Sequence, residues 1–104
     1  FKLNLAADQT IITNLGYTET NSIIEIFNKV LIKSGKKVKL ESKSLTPIVW
    51  NVILKNRARV FVNFKIYING PDNFTLKIQV FPKNLDKKIA EMVNAVIEKR
   101  NKRN

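Results

Sequence analysis

From Arg59 to Gly70 the chain reads "RVFVNFKIYING", and this alternation leaves little freedom in what the segment can become. Successive side chains of a strand leave opposite faces. Val60, Val62, Phe64, Ile66 and Ile68 therefore point one way, and Arg59, Phe61, Asn63, Lys65 and Tyr67 the other. The first set is a core face. The second places two aromatics between cations, and a partner for it has to be found.

The flanking segments extend the strand into a sheet. "PIVWNVILK" puts Ile48, Trp50, Val52 and Leu54 on one face, and "NR" turns it tightly into "ARVFVNFKIYI". Five turn formers, Asn69 to Asn73, lead into "FTLKIQVF", with Phe74, Leu76, Ile78 and Val80 facing inward. Pro82 ends that strand, because proline cannot donate to a ladder. "KKVKLES" alternates Val38 and Leu40 with Lys37, Lys39 and Glu41 and reads as a further strand. The opening "FKLNLA" reads as a short strand, with Phe1, Leu3 and Leu5 on one face. "ADQTIITNLGYTET" has no clear period and reads as a loop with room for one short turn of helix.

Two helices complete the set. In "SIIEIFNKVLIKSG", Ser22 with Glu25 three residues on fits a capping box, and Gly35 fits the position just past the end. Ile23, Phe27, Val30 and Leu31 form the apolar stripe. In "NLDKKIAEMVNAVIEKR", Asn84 is the expected cap and Asp86 suits the positive first turn. Leu85, Ile89, Met92, Val93, Val96 and Ile97 make its stripe. The order (β)αββββα predicts an α+β fold: a single antiparallel sheet of about four strands, with two helices packed on one face. The 104 residues suit one domain over 1–104. Residues 1–21 form an irregular lead-in with a candidate edge strand, and 99–104 a basic, frayed tail. Opening on Phe1 rather than Met fits an excised domain or processed product. The start carries no signal-peptide pattern, and no apolar run nears the roughly 20 residues that span a bilayer.

Catalysis finds few tools here. With no His and no Cys, the commonest general base, thiol nucleophile and metal ligands are gone. The eight carboxylates are scattered: Glu25 reads as a cap, and Glu91 and Glu98 as a solvated helix face. Gly16, Gly35 and Gly70 are isolated, so no phosphate-cradling loop forms. We expect no catalytic residues, no metal site, no cofactor and no enzyme activity.

Charge says more. Nineteen Lys and Arg stand against eight Asp and Glu, a net charge of +11, which favours a polyanion or an anionic surface as partner. The cations fall into patches. Lys33, Lys36, Lys37 and Lys39 run off the first helix, more than the offset of a helix dipole requires. Lys55, Arg57 and Arg59 crowd a hairpin tip. Lys65 and Lys77 share the outward sheet face with Phe61 and Tyr67. The tail adds Lys99, Arg100, Lys102 and Arg103. Aromatics interleaved with lysines on an open sheet fit a nucleic-acid platform, where bases stack and cations hold phosphates. Alternatively, Phe61 and Tyr67 are covered by the N-terminal segment or pair across strands.

With its elements in this order, the chain resembles the kinase-associated 1 domain at the C-terminus of microtubule-affinity-regulating and septin-ring-associated kinases. The likeness lies in "EIFNKVLIKSGKKVKLES", in "VNFKIYI" and in "FTLKIQVFPKNLDKKIAEMVNAVIEK", covering most of 21–99. "LKIQVFPKN" stands where the family usually carries an "FKRISG"-like passage. The resemblance implies a compact α+β module that binds acidic phospholipids through surface Lys and Arg and tethers or restrains a kinase domain in the same chain. At about 1 kcal/mol per cation near an anionic leaflet, four to six convergent cations suffice for peripheral docking.

The leading expectation is thus a non-catalytic module on an anionic membrane, cytoplasmic and peripheral, anchored by Lys33, Lys36, Lys37, Lys39, Lys55, Arg57 and Arg59. The alternative is a small RNA- or DNA-binding protein using Phe61, Lys65, Tyr67 and Lys77. A third is a docking domain for an acidic protein segment.

Overall fold

The computed structural model describes residues 9–33, 49–81 and 87–102. Its elements follow as β1 (Thr10–Leu15), α1 (Tyr17–Phe27), a π-helical turn (Asn28–Ile32), β2 (Val49–Lys55), β3 (Phe61–Gly70), β4 (Asn73–Phe81) and α2 (Lys87–Asn101). The four strands form one sheet in the order β1-β4-β3-β2, with every neighbouring pair antiparallel. This is the expected α+β fold. The strands "FKLNLA" and "KKVKLES", with Gly35, Ile48, Pro82, Asn84, Leu85 and Asp86, lie outside the described residues.

Alternation in β2, β3 and β4 sends one set of side chains to a shared core. Leu54, Val62, Phe64, Ile66, Leu76 and Ile78 are buried there, joined by Ile12 and Leu15 from β1. Ile23, Ile24 and Phe27 of α1 and Ile89, Val93 and Ile97 of α2 cover this face. Phe27 meets Phe64 edge to face, with ring centroids 5.4 Å apart, a preferred aromatic geometry that fixes helix against sheet. Met92, assigned above to the stripe, is 37% exposed.

Three local features depart from the expected pattern. First, β1 falls in the segment read as a loop. Thr10 and Ile12 face the core, and then the register shifts, so that Leu15 rather than Asn14 returns to it. Asn14 takes φ 58°, and this bulge breaks the period of two. Second, α1 starts at Tyr17, so Ser22 and Glu25 lie inside it rather than at a cap. Gly16 precedes the helix, and the Tyr17 N–H donates to Asp72 Oδ1 at 2.7 Å, a cap supplied from the β3–β4 turn. Glu25 instead pairs with Lys29 at 2.6 Å, one turn on. Third, the helix widens at Asn28, where the Lys33 N–H donates to Asn28 O at 2.6 Å. The extra residue in that turn rotates the stripe, so Ile32 is buried while Val30 and Leu31 are only partly covered.

Candidate functional site

The helices occupy one side of the sheet; the register defines what the other side shows. Lys55, Phe61 and Phe81 form one row across β2, β3 and β4, and Ile53, Asn63 and Gln79 the next. Asn51, Lys65 and Lys77 follow, with Ile11 of β1 beside Lys77. Val49, Tyr67 and Thr75 complete the face. Four large apolar side chains are exposed here: Ile11 at 48%, Ile53 at 61%, Phe61 at 37% and Phe81 at 55%. Scattered single apolar residues are ordinary on a surface, but four on one face are not.

Phe61 and Phe81 stack across the strands, 5.3 Å between centroids and 17° between planes. Tyr67 carries Lys77 Nζ 5.2 Å from its ring centroid. Both rings thus pair across strands, as the bland alternative held, yet the Phe pair keeps much of its surface. Lys65 and Lys77 stand directly opposite each other, an arrangement that like charges make unfavourable. None of the four described strands carries an Asp or Glu, so nothing on their own residues neutralises these lysines.

Between the lysines and the aromatic row lies a depression of about 30 Å³ lined by Gln9, Asn63, Lys65, Lys77 and Gln79, among others. Asn63 Oδ1 is shielded from solvent and accepts no hydrogen bond, which is costly for a buried acceptor. Among the described residues no three acidic side chains gather to hold a metal ion.

The other nominated cations sit elsewhere. Lys55 belongs to the open face; Arg57 and Arg59 are exposed in the loop beyond it, and Lys33 is exposed at the end of the π turn. Arg59, counted above in the strand, is instead a loop residue at φ 62°, and the ladder starts at Phe61. Lys36, Lys37, Lys39 and Arg103 lie outside the described residues. The expectation of a tail frayed from 99 does not hold: α2 runs to Asn101, and Arg100 pairs with Asp72 at 3.2 Å. Phe81, Ile53, Asn63 and Gln79 are not among the site residues to which the sequence points. The alternation of "FTLKIQVF" placed Phe81 outward with Lys77, but its stack on Phe61 depends on register, which sequence does not show.

The fold and this face define an α+β domain whose described strands present an aromatic and basic surface without Asp or Glu. Compared with protein-family models, curated proteins and solved structures, the chain matches none.

Proposed function

We propose that the domain binds single-stranded nucleic acid on its open sheet face. The observation that carries this reading is the facing pair Lys65 and Lys77, set on acid-free strands between the Phe61–Phe81 stack and Tyr67. A strand of nucleic acid offers both things this face is built to meet. Its bases stack on aromatic rings, and its phosphates neutralise lysines that otherwise repel each other. Asn63, Gln79 and Gln9 add amide donors and acceptors to the same surface, and these suit base edges better than lipid tails.

The anionic-membrane reading keeps one favouring observation: Ile53 is 61% exposed beside Lys55, so the face joins aliphatic to cationic contacts. That is also the chemistry of the membrane interface. No described helix is long and apolar enough to cross a bilayer, which leaves peripheral docking as the form this second reading takes.

One competition separates them. A fluorescein-labelled single strand and phosphatidylserine vesicles share the domain at about 150 mM salt, where the Debye length is about 8 Å and loose attraction is screened. The proposal expects the domain on the strand, with Phe81→Ala and Phe61→Ala each weakening binding by about 1–3 kcal/mol. Retention on vesicles against excess strand, or strand affinity indifferent to both changes, overturns it.

A further inference from the structure

Among the described residues, four non-glycine residues have positive φ: Asn14 at 58°, Lys33 at 55°, Arg59 at 62° and Asp72 at 52°. Asn and Asp visit this region readily, since their short polar side chains bond locally. Lysine and arginine gain nothing from it, and glycine is the residue the backbone prefers there. Two cations therefore stand where backbone energetics disfavours them.

The same two cations share one end of the molecule. Arg59 lies in the β2–β3 loop, which Asn56 organises. The Asn56 N–H donates to Val60 O at 3.0 Å, and its Oδ1 accepts the Ala58 and Val60 N–H groups at 3.0 and 3.2 Å. Asn56 Nδ2 then donates to Leu31 O at 3.4 Å, fastening the loop to the π turn that Lys33 ends. Arg57 is exposed on the same loop. Among the described residues, no ion pair engages Lys33, Arg57 or Arg59. The acids Glu19 and Asp72 gather at the opposite end, around Arg100.

From this we infer that Lys33, Arg57 and Arg59 form a pre-ordered phosphate-binding end. Strain kept at a charged residue, where glycine would relieve it, points to a use for the charge. The hairpin fixes both arginine backbones before any ligand arrives. Lys55 joins this end to the Phe61–Phe81 row, so a strand crossing the sheet leaves it over the loop. The inference rests on the sheet-face reading for the source of the phosphate, a phosphodiester chain; a phospholipid headgroup presents the same chemistry.

Glycine is the informative substitution. The double variant Lys33→Gly, Arg59→Gly relaxes both backbones and removes both charges. We expect its melting temperature to equal or exceed that of the parent, while a labelled single strand binds at least about tenfold more weakly. The slope of log K against log salt should fall by about 1.4, at about 0.7 per lost phosphate contact on a single strand. Arg59→Asn, which tolerates the same φ, should repeat the result in smaller measure. Unchanged affinity with an unchanged slope overturns the inference, as does a fall in melting temperature in both variants, which would assign the side chains to the fold. If Phe81→Ala weakens strand binding but the glycine pair does not, this inference alone fails. If the parent ignores the strand yet sediments with phosphatidylserine vesicles, and the glycine pair releases it, the phosphate site stands with a lipid source and the sheet-face reading fails.

Discussion

Arg100 meets Asp72 twice: Nη1 donates to Oδ2 at 3.2 Å, and Nη2 donates to the Asp72 carbonyl oxygen at 3.1 Å. Asp72 also accepts the first N–H of α1, so one turn residue ties the last turn of one helix to the first turn of the other. Glu19 lies under the same guanidinium, with Oε2 3.9 Å from Nη1, and its side chain is 8% exposed. Acids at the start of α1 favour its dipole, and a cation at the end of α2 favours that one. The cluster links both helices to the β3–β4 turn and closes the fold at the end away from the β2–β3 hairpin.

Arg100→Met should lower unfolding free energy by about 1.5–3 kcal/mol, the range for losing hydrogen bonds to charged groups. Asp72→Asn should lower it less, since Asn keeps an Oδ1 for the Tyr17 N–H. Urea unfolding reads both. Strand affinity should stay near that of the parent in each, because the cluster is remote from the proposed site. A loss below about 1 kcal/mol for Arg100→Met would mean that water replaces these bonds without penalty.

At Gly16 φ is an ordinary −83°, so what opposes a side chain there is the crowding of neighbouring side-chain ends. A Cβ there would collide with Glu19 Oε2 and sit 2.7 Å from Arg100 Nη1 and 2.9 Å from Asp72 Oδ1. Gly16→Ala should cost about 1 kcal/mol, the low end for overpacked sites, because the side-chain ends it meets can turn aside only by loosening their contacts with one another. The cost should shrink when Asp72→Ala is combined with it, giving a coupling of about 0.5 kcal/mol or more between neighbours. Strict additivity in that cycle would refute the steric account.

How far the sequence spoke depends on whether one period held. Between Phe61 and Ile68 of β3 nothing interrupts the alternation, the register against β4 shifting only beyond Ile68, so the inward set from Val62 to Ile68 and the outward set from Phe61 to Tyr67 are both legible. In β1 the bulge at Asn14 scrambles the period, and the strand was missed. Nor does sequence announce that Asp72, 55 residues away, caps α1; without that knowledge, Ser22 and Glu25 made the better start. The π turn shifted the stripe by one residue for the same reason, a local irregularity that composition does not mark. The site suffered differently. Lys65, Lys77, Phe61 and Tyr67 follow from alternation alone, whereas the Phe61–Phe81 stack and the union of Lys33 with Arg59 require register and tertiary contact.

Lys65→Thr should stabilise the fold while weakening the proposed function. It removes one of two like charges set opposite each other on β3 and β4 and substitutes a good strand former. A gain of about 0.2–1 kcal/mol is expected at low salt, diminishing toward 1 M, where the Debye length falls to about 3 Å. Lys77 is the poorer test because its Nζ already lies over Tyr67. Thermal unfolding at two salt concentrations checks the sign. A destabilised variant would show that Lys65 serves the sheet through its apolar stem and would weaken the case that its charge awaits an anion.

Asn56 separates the shape of the hairpin from its attachment. Its Oδ1 accepts two loop N–H groups, and its Nδ2 holds the loop to Leu31 O. Asn56→Ala removes all three side-chain bonds and should cost about 1–3 kcal/mol. Asn56→Asp keeps an acceptor for the Ala58 and Val60 N–H groups but turns an oxygen toward the Leu31 carbonyl, so it should cost less while freeing the loop from the π turn. Amide hydrogen exchange distinguishes the two. In the Asp variant, protection should persist at Val60, within the loop, and fall at Lys33, whose N–H closes the π turn. In the Ala variant it should fall at both. Equal exchange at Lys33 in parent and Asp variant would mean the two cations are not held together by this residue, and the pre-ordering of the basic end would need another cause.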